Sequence, residues 1–538
     1  MGGIGAALAS VRPGAALDAQ PQMILDPNTL SADGTVALSA MQVSPDGKHL
    51  AYSLSASGSD WQGWKIRDVA TGKDLSDHLK WVKFSGASWT SDGKGFFYSR
   101  YDEPKGDTLK ATNYFQKVYY HRLDTPQSED VLVYERPDQK DWLFGGTVTE
   151  DGNYLIITVY QGTDVKTRIY FKDLKAKDAA VVKLLDDFDA AYYFIGNHGT
   201  KFWFHTDQNA SRGKVIEIDT TKPARENWKV VVPEGKETLQ SASFVNNRFI
   251  LNYLKDAYTQ VKIYETSGKL VSEVAFPGIG SATGFSGKVT DKETFYAFTG
   301  FTTPTTIYRY DMVTGKSSIF RQPKADFNPD DFETKQVFYT SKDGTKVPMF
   351  ITHKKGLKLD GNNPTYLYGY GGFTVSLPPA FSVSNLVWME MGGVYAQANL
   401  RGGSEYGEDW HQAGMKLKKQ NVFDDFIAAA EWLIANKYTS TPKLAIGGGS
   451  NGGLLVGAAI TQRPELFGAA LPAVGVMDML RFQKFTIGWA WVSDYGSSDN
   501  ADEFKALYAY SPLHNIKAGK SYPPTLVTTA DHDDRVWP

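Results

Sequence analysis

From about residue 23 to residue 335 the apolar positions alternate over short runs, and polar turns separate the runs. A turn carrying Asp-Gly or Asn leads into a strand of aromatic and β-branched residues, and a second strand follows. The clearest examples are SPDGKHLAYS from Ser44, TSDGKGFFYS from Thr90 and TEDGNYLIIT from Thr149. Weaker ones are GNHGTKFWFHT from Gly196, VNNRFILNYL from Val245 and TDKETFYAFTG from Thr290. Successive starts lie 46, 59, 47, 49 and 45 residues apart. A period in the forties, with about four strands to each unit, predicts the blades of a β-propeller. Long helical periodicity is missing throughout this stretch, and a β-sandwich would not space its hairpins so regularly.

After about residue 336 the pattern changes. Apolar strands at 365–370, 394–400, 443–449 and 524–530 alternate with helical stretches. In one of these, Phe423, Phe426, Ile427, Ala430, Leu433 and Ile434 recur on a single helical face. Such alternation predicts a mostly parallel, doubly wound α/β sheet. The polar segment FRQPKADFNPDDF, with two prolines, serves as linker. Residues 1–22 stay unassigned, 23–335 form the propeller and 336–538 the α/β domain.

Composition narrows the function. Net charge is 57 − 60 = −3, which gives no footprint for nucleic acid or an acidic membrane surface. Cysteine is absent, which excludes disulfides, thiolate–zinc sites and a cysteine nucleophile. The longest uncharged run, 361–389, is broken by prolines and glycines and is not a spanning helix. At the N-terminus Ala-Leu-Asp-Ala resembles a signal-peptide cleavage site, but no basic region precedes it and Arg12-Pro13 interrupts the apolar part.

The chemistry centres on Gly448-Gly449-Ser450-Asn451-Gly452, which fits G-x-S-x-G with a strand before it and a helix-like stretch after it. That context predicts a nucleophile elbow, a strained turn that exposes the serine hydroxyl at the end of a sheet. The glycines admit the close backbone approach, and the helix N-terminus offers N–H groups to a developing oxyanion. In this fold an acid and then a histidine follow the serine in the chain. Asp531-His532-Asp533-Asp534-Arg535 lies just past the last apolar strand, and spacing alone leaves Asp531, Asp533 and Asp534 as rivals.

The segments YGYGGF (368–373), RGGSEYG (401–407), KKQNVFDDF (418–426), GGSNGGLLV (448–456), QRPELF (462–467), VGVMDMLRF (474–482), DYG (494–496), YSPLHN (510–515) and TADHDDRV (529–536) resemble prolyl oligopeptidase. This is a family of serine peptidases that cut short peptides after proline. The resemblance implies a seven-bladed β-propeller capping an α/β-hydrolase domain. It implies Ser450 as nucleophile and Asp533 as triad acid, with the Asn451 N–H and the Tyr370 hydroxyl as oxyanion donors. It also implies Phe373, Val476, Trp491, Tyr495 and Val536 as walls of the proline pocket, and Arg535 as the residue holding a substrate carbonyl. A flat aromatic stacked on a pyrrolidine ring in an apolar pocket is physically sensible. The expected partners are proline-containing oligopeptides, met by a cytoplasmic monomer without metal or cofactor; a periplasmic or secreted location is the alternative.

Two departures from the family pattern matter. None of the nine histidines follows Asp533, although the family places its base a few tens of residues after the acid. His532, next to Asp533, would have to turn back across the same turn to act as base. Six repeat units and a remnant, QMILDPNTL (22–30), are counted rather than seven. The expectation is therefore a fragment truncated at both ends, inactive as it stands. Rival readings are a sibling peptidase cutting after basic residues, which the uncharged pocket residues disfavour, and an inactive peptide-binding scaffold.

Overall fold

The computed structural model describes residues 22–536 and the backbone of residues 8–10. Six four-stranded antiparallel sheets follow one another along the chain, spanning 36–82, 88–134, 142–185, 192–232, 238–273 and 281–321. These are the blades of a β-propeller. Among the described residues there are six blades and not the seven implied by the family resemblance. Among the described residues Gln22–Leu25 pairs with Leu8–Ser10 in a two-stranded ribbon and not in a further four-stranded sheet.

Each repeat motif is the hairpin between the first and second strands of its blade, and the turn chemistry recurs. Asp46 accepts from Ser44 Oγ at 2.7 Å and Lys48 N at 3.1 Å. Asp92 does the same for Thr90 and Lys94, and Asp151 for Thr149 and Asn153. The glycine that follows each aspartate, Gly47, Gly93 or Gly152, takes a φ near +70°, which an L side chain rarely adopts.

The chain divides into two compact units. The first holds the residues up to Tyr192, Gln483–Trp491 and the residues from Ala530 on. Its core lies between stacked blades: Trp64, Ile66 and Leu79 pack with Trp89 and Phe96, and Phe97 and Val118 pack with Phe144, Leu155 and Ile157. The second unit holds Tyr193–Phe482 and Val492–Thr529. Within it, Trp203 and Val215 pack with Phe249 and Leu251, and Val261 and Ile263 pack with Phe285 and Tyr296.

The second unit also contains a six-stranded sheet formed by β1 (Phe332–Thr340), β2 (Lys346–Lys354), β3 (Thr365–Tyr368), β4 (Val394–Ala398), β5 (Leu444–Gly449) and β6 (Ala469–Ala473), in the order β1-β2-β4-β3-β5-β6. The β1–β2 and β2–β4 pairs are antiparallel; β4, β3, β5 and β6 run parallel. This is the α/β-hydrolase half. Its helices include α1 (Val383–Glu390), α2 (Gln420–Ala435) and α3 (Asn451–Gln462). α2 buries Val422, Phe423, Phe426, Ile427, Ala430 and Leu433, close to the face expected from periodicity. The segment 524–530, expected as a buried strand, makes only isolated parallel bridges from Thr525 and Thr528 to β6, and Leu526 and Val527 are exposed.

Candidate active site

Ser450 lies between β5 and α3, at φ 57° and ψ −117°. Such a conformation costs a non-glycine residue about 1–3 kcal/mol and survives only where the surroundings enforce it. Here the backbone supplies the constraint: Ser450 N donates to Ala473 O at 2.9 Å, while Gly453 N and Leu454 N donate to Ser450 O. A Cβ on Gly448 would stand 2.4 Å from Gly452 O, and one on Gly452 would stand 2.8 Å from Gly369 O. Both approaches are too close for a side chain, so these glycines are required by packing.

Asn451 and Gly452 occupy the first two positions of α3, where backbone N–H groups have no partner within the helix. The Asn451 side chain is buried and works as a strut: its Nδ2 donates to Tyr370 O at 2.6 Å, and its Oδ1 accepts from the Tyr495 hydroxyl at 3.0 Å. Tyr370 lies in the loop between β3 and α1, the loop from which a hydrolase draws its second oxyanion donor. Phe373 stands on the same loop, edge-to-face with Tyr495 at 5.1 Å between ring centres. Phe482 meets Tyr495 in the same way at 5.3 Å. Val476 is buried on the segment after β6. Contacts within the second unit thus join Asn451, next to Ser450, with Tyr370, Tyr495 and Phe373, and Val476 belongs to the same unit.

The remaining sequence-predicted residues belong to the first unit. Trp491 closes the segment 483–491, which joins blade 3 through bonds from Thr163 N and Oγ1 to Ala490 O. Asp533 accepts from Arg535 N at 3.0 Å and Val536 N at 2.9 Å, so its carboxylate shapes its own turn. Arg535 pairs bidentately with Asp60, and Val536 is buried. The two rival acids also have partners. Asp534 is buried and accepts from Lys83 Nζ, Asp60 N and Ser59 Oγ. Asp531 is exposed and pairs with His532 Nδ1 at 2.8 Å.

Among the described residues no histidine is hydrogen-bonded to Ser450. In the second unit His411 is held between Asp494 and Glu408, His514 bonds Ser511, and His353 bonds Lys354 O. Burial alone pulls His205 down to about 4.

Sequence reading missed the charges around His411. His411 Nε2 meets Asp494 Oδ2 at 2.8 Å, and Lys419 Nζ stands 3.6 Å from Asp494 Oδ1, with all three side chains at most 5% exposed. Burial opposes ionisation of the imidazole, but Asp494 and Glu408 outweigh it and push His411 up to about 9. Burial likewise opposes ionisation of Asp494, yet Lys419 and His411 hold its carboxyl below the usual value.

Comparison with known proteins gives the family. Residues 7–323 match the prolyl oligopeptidase N-terminal β-propeller domain, and residues 379–538 match the prolyl oligopeptidase family. The chain is 47% identical over 519 residues to the prolyl endopeptidase of Elizabethkingia miricola, covering 96% of this chain and 73% of that one. Identity to prolyl oligopeptidase A of Amanita bisporigera is 41% over 552 residues, covering 96% and 72%. A structure from a study of two prolyl endopeptidases superposes with a TM-score of 0.92 at 43% identity, covering 97% of this chain and 77% of that one. Prolyl oligopeptidase B of Galerina marginata, bound to a 25-residue macrocyclisation substrate, superposes with a TM-score of 0.90 at 37% identity, covering 94% and 73%. With its propeller blades, its hydrolase sheet and a serine at the elbow, the chain belongs to the prolyl oligopeptidase family.

Proposed function

We propose that this protein is a serine endopeptidase that hydrolyses short peptides on the carboxyl side of proline through an acyl-enzyme. The observation that carries the reading is the strained elbow: Ser450 at φ 57° on the N-terminus of α3, with Asn451 tied to the Tyr370 loop. In this reading Ser450 Oγ attacks the carbonyl carbon of the proline residue, and the oxyanion is met by the Asn451 N–H and the Tyr370 hydroxyl. A general base takes the serine proton and returns it to the leaving amine; no histidine among the described residues is assigned that role, and Asp533 is assigned as the acid that orients the base. Water then attacks the acyl-enzyme and releases the second product.

Phe373, Val476, Tyr495, Trp491 and Val536 are assigned to the proline pocket, and Arg535 to a substrate carbonyl. All the pocket residues are uncharged, which supports proline over a basic side chain at the cleavage site. The similarity to named prolyl endopeptidases supports the same substrate class. The test is labelling of the full-length protein by a proline-directed active-site phosphonate, with turnover of a proline-linked chromogenic peptide measured beside it. Labelling confined to Ser450 and lost in Ser450→Ala is expected. Labelling that survives in Ser450→Ala refutes the assignment.

A further inference from the structure

Three buried charged side chains near the elbow take no part in the chemistry just described, and their bonds converge on one stretch of backbone. Lys419 Nζ donates to Gly371 O at 2.8 Å, and Phe373 N donates to Asp494 Oδ2 at 2.9 Å. The same carboxylate oxygen meets His411 Nε2 at 2.8 Å, and His411 Nδ1 reaches Glu408 Oε2 at 3.1 Å. One residue earlier, Tyr370 O is held by Asn451 Nδ2. The carbonyls of residues 370 and 371 and the N–H of residue 373 are thus each gripped by a different buried side chain.

The loop needs such a grip. Phe373 and Thr374 both have positive φ, at 55° and 57°, and neither is glycine. Left-handed backbone in consecutive bulky residues is costly and persists only where neighbouring structure enforces it. Gly372 fits because a Cβ there would stand 2.8 Å from Asn451 Nδ2 and 2.9 Å from Lys419 Nζ. The loop backbone therefore lies directly against the groups that hold it.

Building the proposed mechanism on this geometry, we propose that Lys419, Asp494 and His411 are positioning residues that hold the Tyr370–Phe373 loop for the transition state. Lys419 and His411 flank Asp494, Glu408 balances the second cation, and Asp494 precedes Tyr495 in the chain. One carboxylate therefore ties the loop bearing the oxyanion hydroxyl to the segment bearing a pocket wall. Pre-organised donors act only when held at the place where charge develops, so a small shift of Tyr370 is paid in turnover and not in substrate binding.

The test is a double-mutant cycle in the full-length protein, with a proline-linked chromogenic peptide as substrate. Lys419→Met keeps side-chain volume and removes the bond to Gly371 O. It is expected to lower kcat about 10- to 100-fold, the range of a misplaced oxyanion donor, with KM changed less than about threefold. In a Tyr370→Phe background the same substitution should cost less than about threefold, because residues acting through one group are not additive. Hydrogen exchange gives a readout independent of turnover: peptides covering 369–376 should take up deuterium faster in Lys419→Met. If Lys419→Met does not fold, His411→Gln, which keeps a donor toward Asp494 without the charge, is carried through the same cycle and the same exchange measurement. Equal losses in both Tyr370 backgrounds, or unchanged exchange at 369–376, overturn the proposal. An inactive wild-type protein would overturn the peptidase reading, and the exchange measurement would still decide whether these residues hold the loop.

Discussion

Replacing Asp534 by alanine removes the carboxylate on which the segment carrying Asp533 hangs. Asp534 accepts from Lys83 Nζ, from Asp60 N at 2.7 Å and from Ser59 Oγ at 3.2 Å. The side chains of Lys83 and Asp534 are 1% and 0% exposed, so water cannot take over either partner. Beyond Asp534, Lys83 has Asn113 Oδ1 at 3.3 Å, the face of Trp61 at 4.3 Å from its ammonium, and the Asp60 carboxylate, which already pairs with Arg535. Leaving one member of a buried ion pair alone costs about 3–5 kcal/mol. Against the 5–15 kcal/mol typical of a folded domain, that is about a fifth or more of the total. The effect should be local first, because the bonds of Asp534 join residues 59–60 and 83 to the 530–536 segment. Native-state hydrogen exchange of peptides covering 530–536 measures the opening free energy directly and does not require two-state unfolding. Asp534→Ala should lower it by about 3–5 kcal/mol. The double variant Lys83→Met/Asp534→Leu should recover most of the loss, because a buried pair replaced by apolar side chains is often neutral. A loss below about 1 kcal/mol in Asp534→Ala would be the figure for an exposed pair and would refute the reasoning.

Two further outcomes follow from particular residues. Trp491→Ala should lower kcat/KM for a proline substrate by about 1–3 kcal/mol, the scale of one lost apolar contact in a pocket; parent-like cleavage would show that the pocket has been misplaced. His121 is buried between Asp130 and Asp77, at 2.6 and 2.9 Å, and these carboxylates outweigh burial and push it up to about 9 from the ordinary histidine value of 6.5. Because the folded value is the higher one, the stabilisation is fully present below pH 6.5 and is lost as pH rises through about 9. Urea midpoints of the wild type should fall between pH 7 and 10 while those of His121→Gln stay flatter, and identical pH profiles would refute the assignment.

The features legible in the sequence are those whose partners lie close in the chain. An Asp-Gly hairpin is built within a few residues: Asp46 reaches Ser44 and Lys48, and its glycine supplies the positive φ. The blades could therefore be counted from turns alone. The elbow is also local, because strand, strained serine and helix follow directly in 444–462. Asp533 could be separated from Asp531 and Asp534 only by family resemblance, since the distinction rests on partners far away. Asp534 meets Lys83 across 451 positions, and no spacing rule reaches that distance.

The same physics hides the charges that grip the Tyr370 loop. Lys419 stands in KLKKQN, a run that reads as a solvated surface on composition, yet its side chain is 1% exposed. Its burial depends on Asp494, 75 positions later, and on Gly371, 48 positions earlier. Neither partner marks Lys419 from its own neighbourhood. A buried charge is tolerable only when paired and hydrogen-bonded, so its position is set by the tertiary fold. The constraint also runs the other way. Once Lys419 and Asp494 are buried, the carbonyl of Gly371 and the amide of Phe373 complete their hydrogen bonding, and a loop that departed from those positions would leave a buried donor and a buried acceptor unsatisfied even though the two charges still face each other. The strain at Phe373 and Thr374, at about 1–3 kcal/mol each, is of the same order as leaving those buried charged groups without their hydrogen bonds, at about 1–3 kcal/mol or more each. That balance explains how a loop with two left-handed side-chain residues can persist beside the elbow, held by the bonds of Lys419 and Asp494.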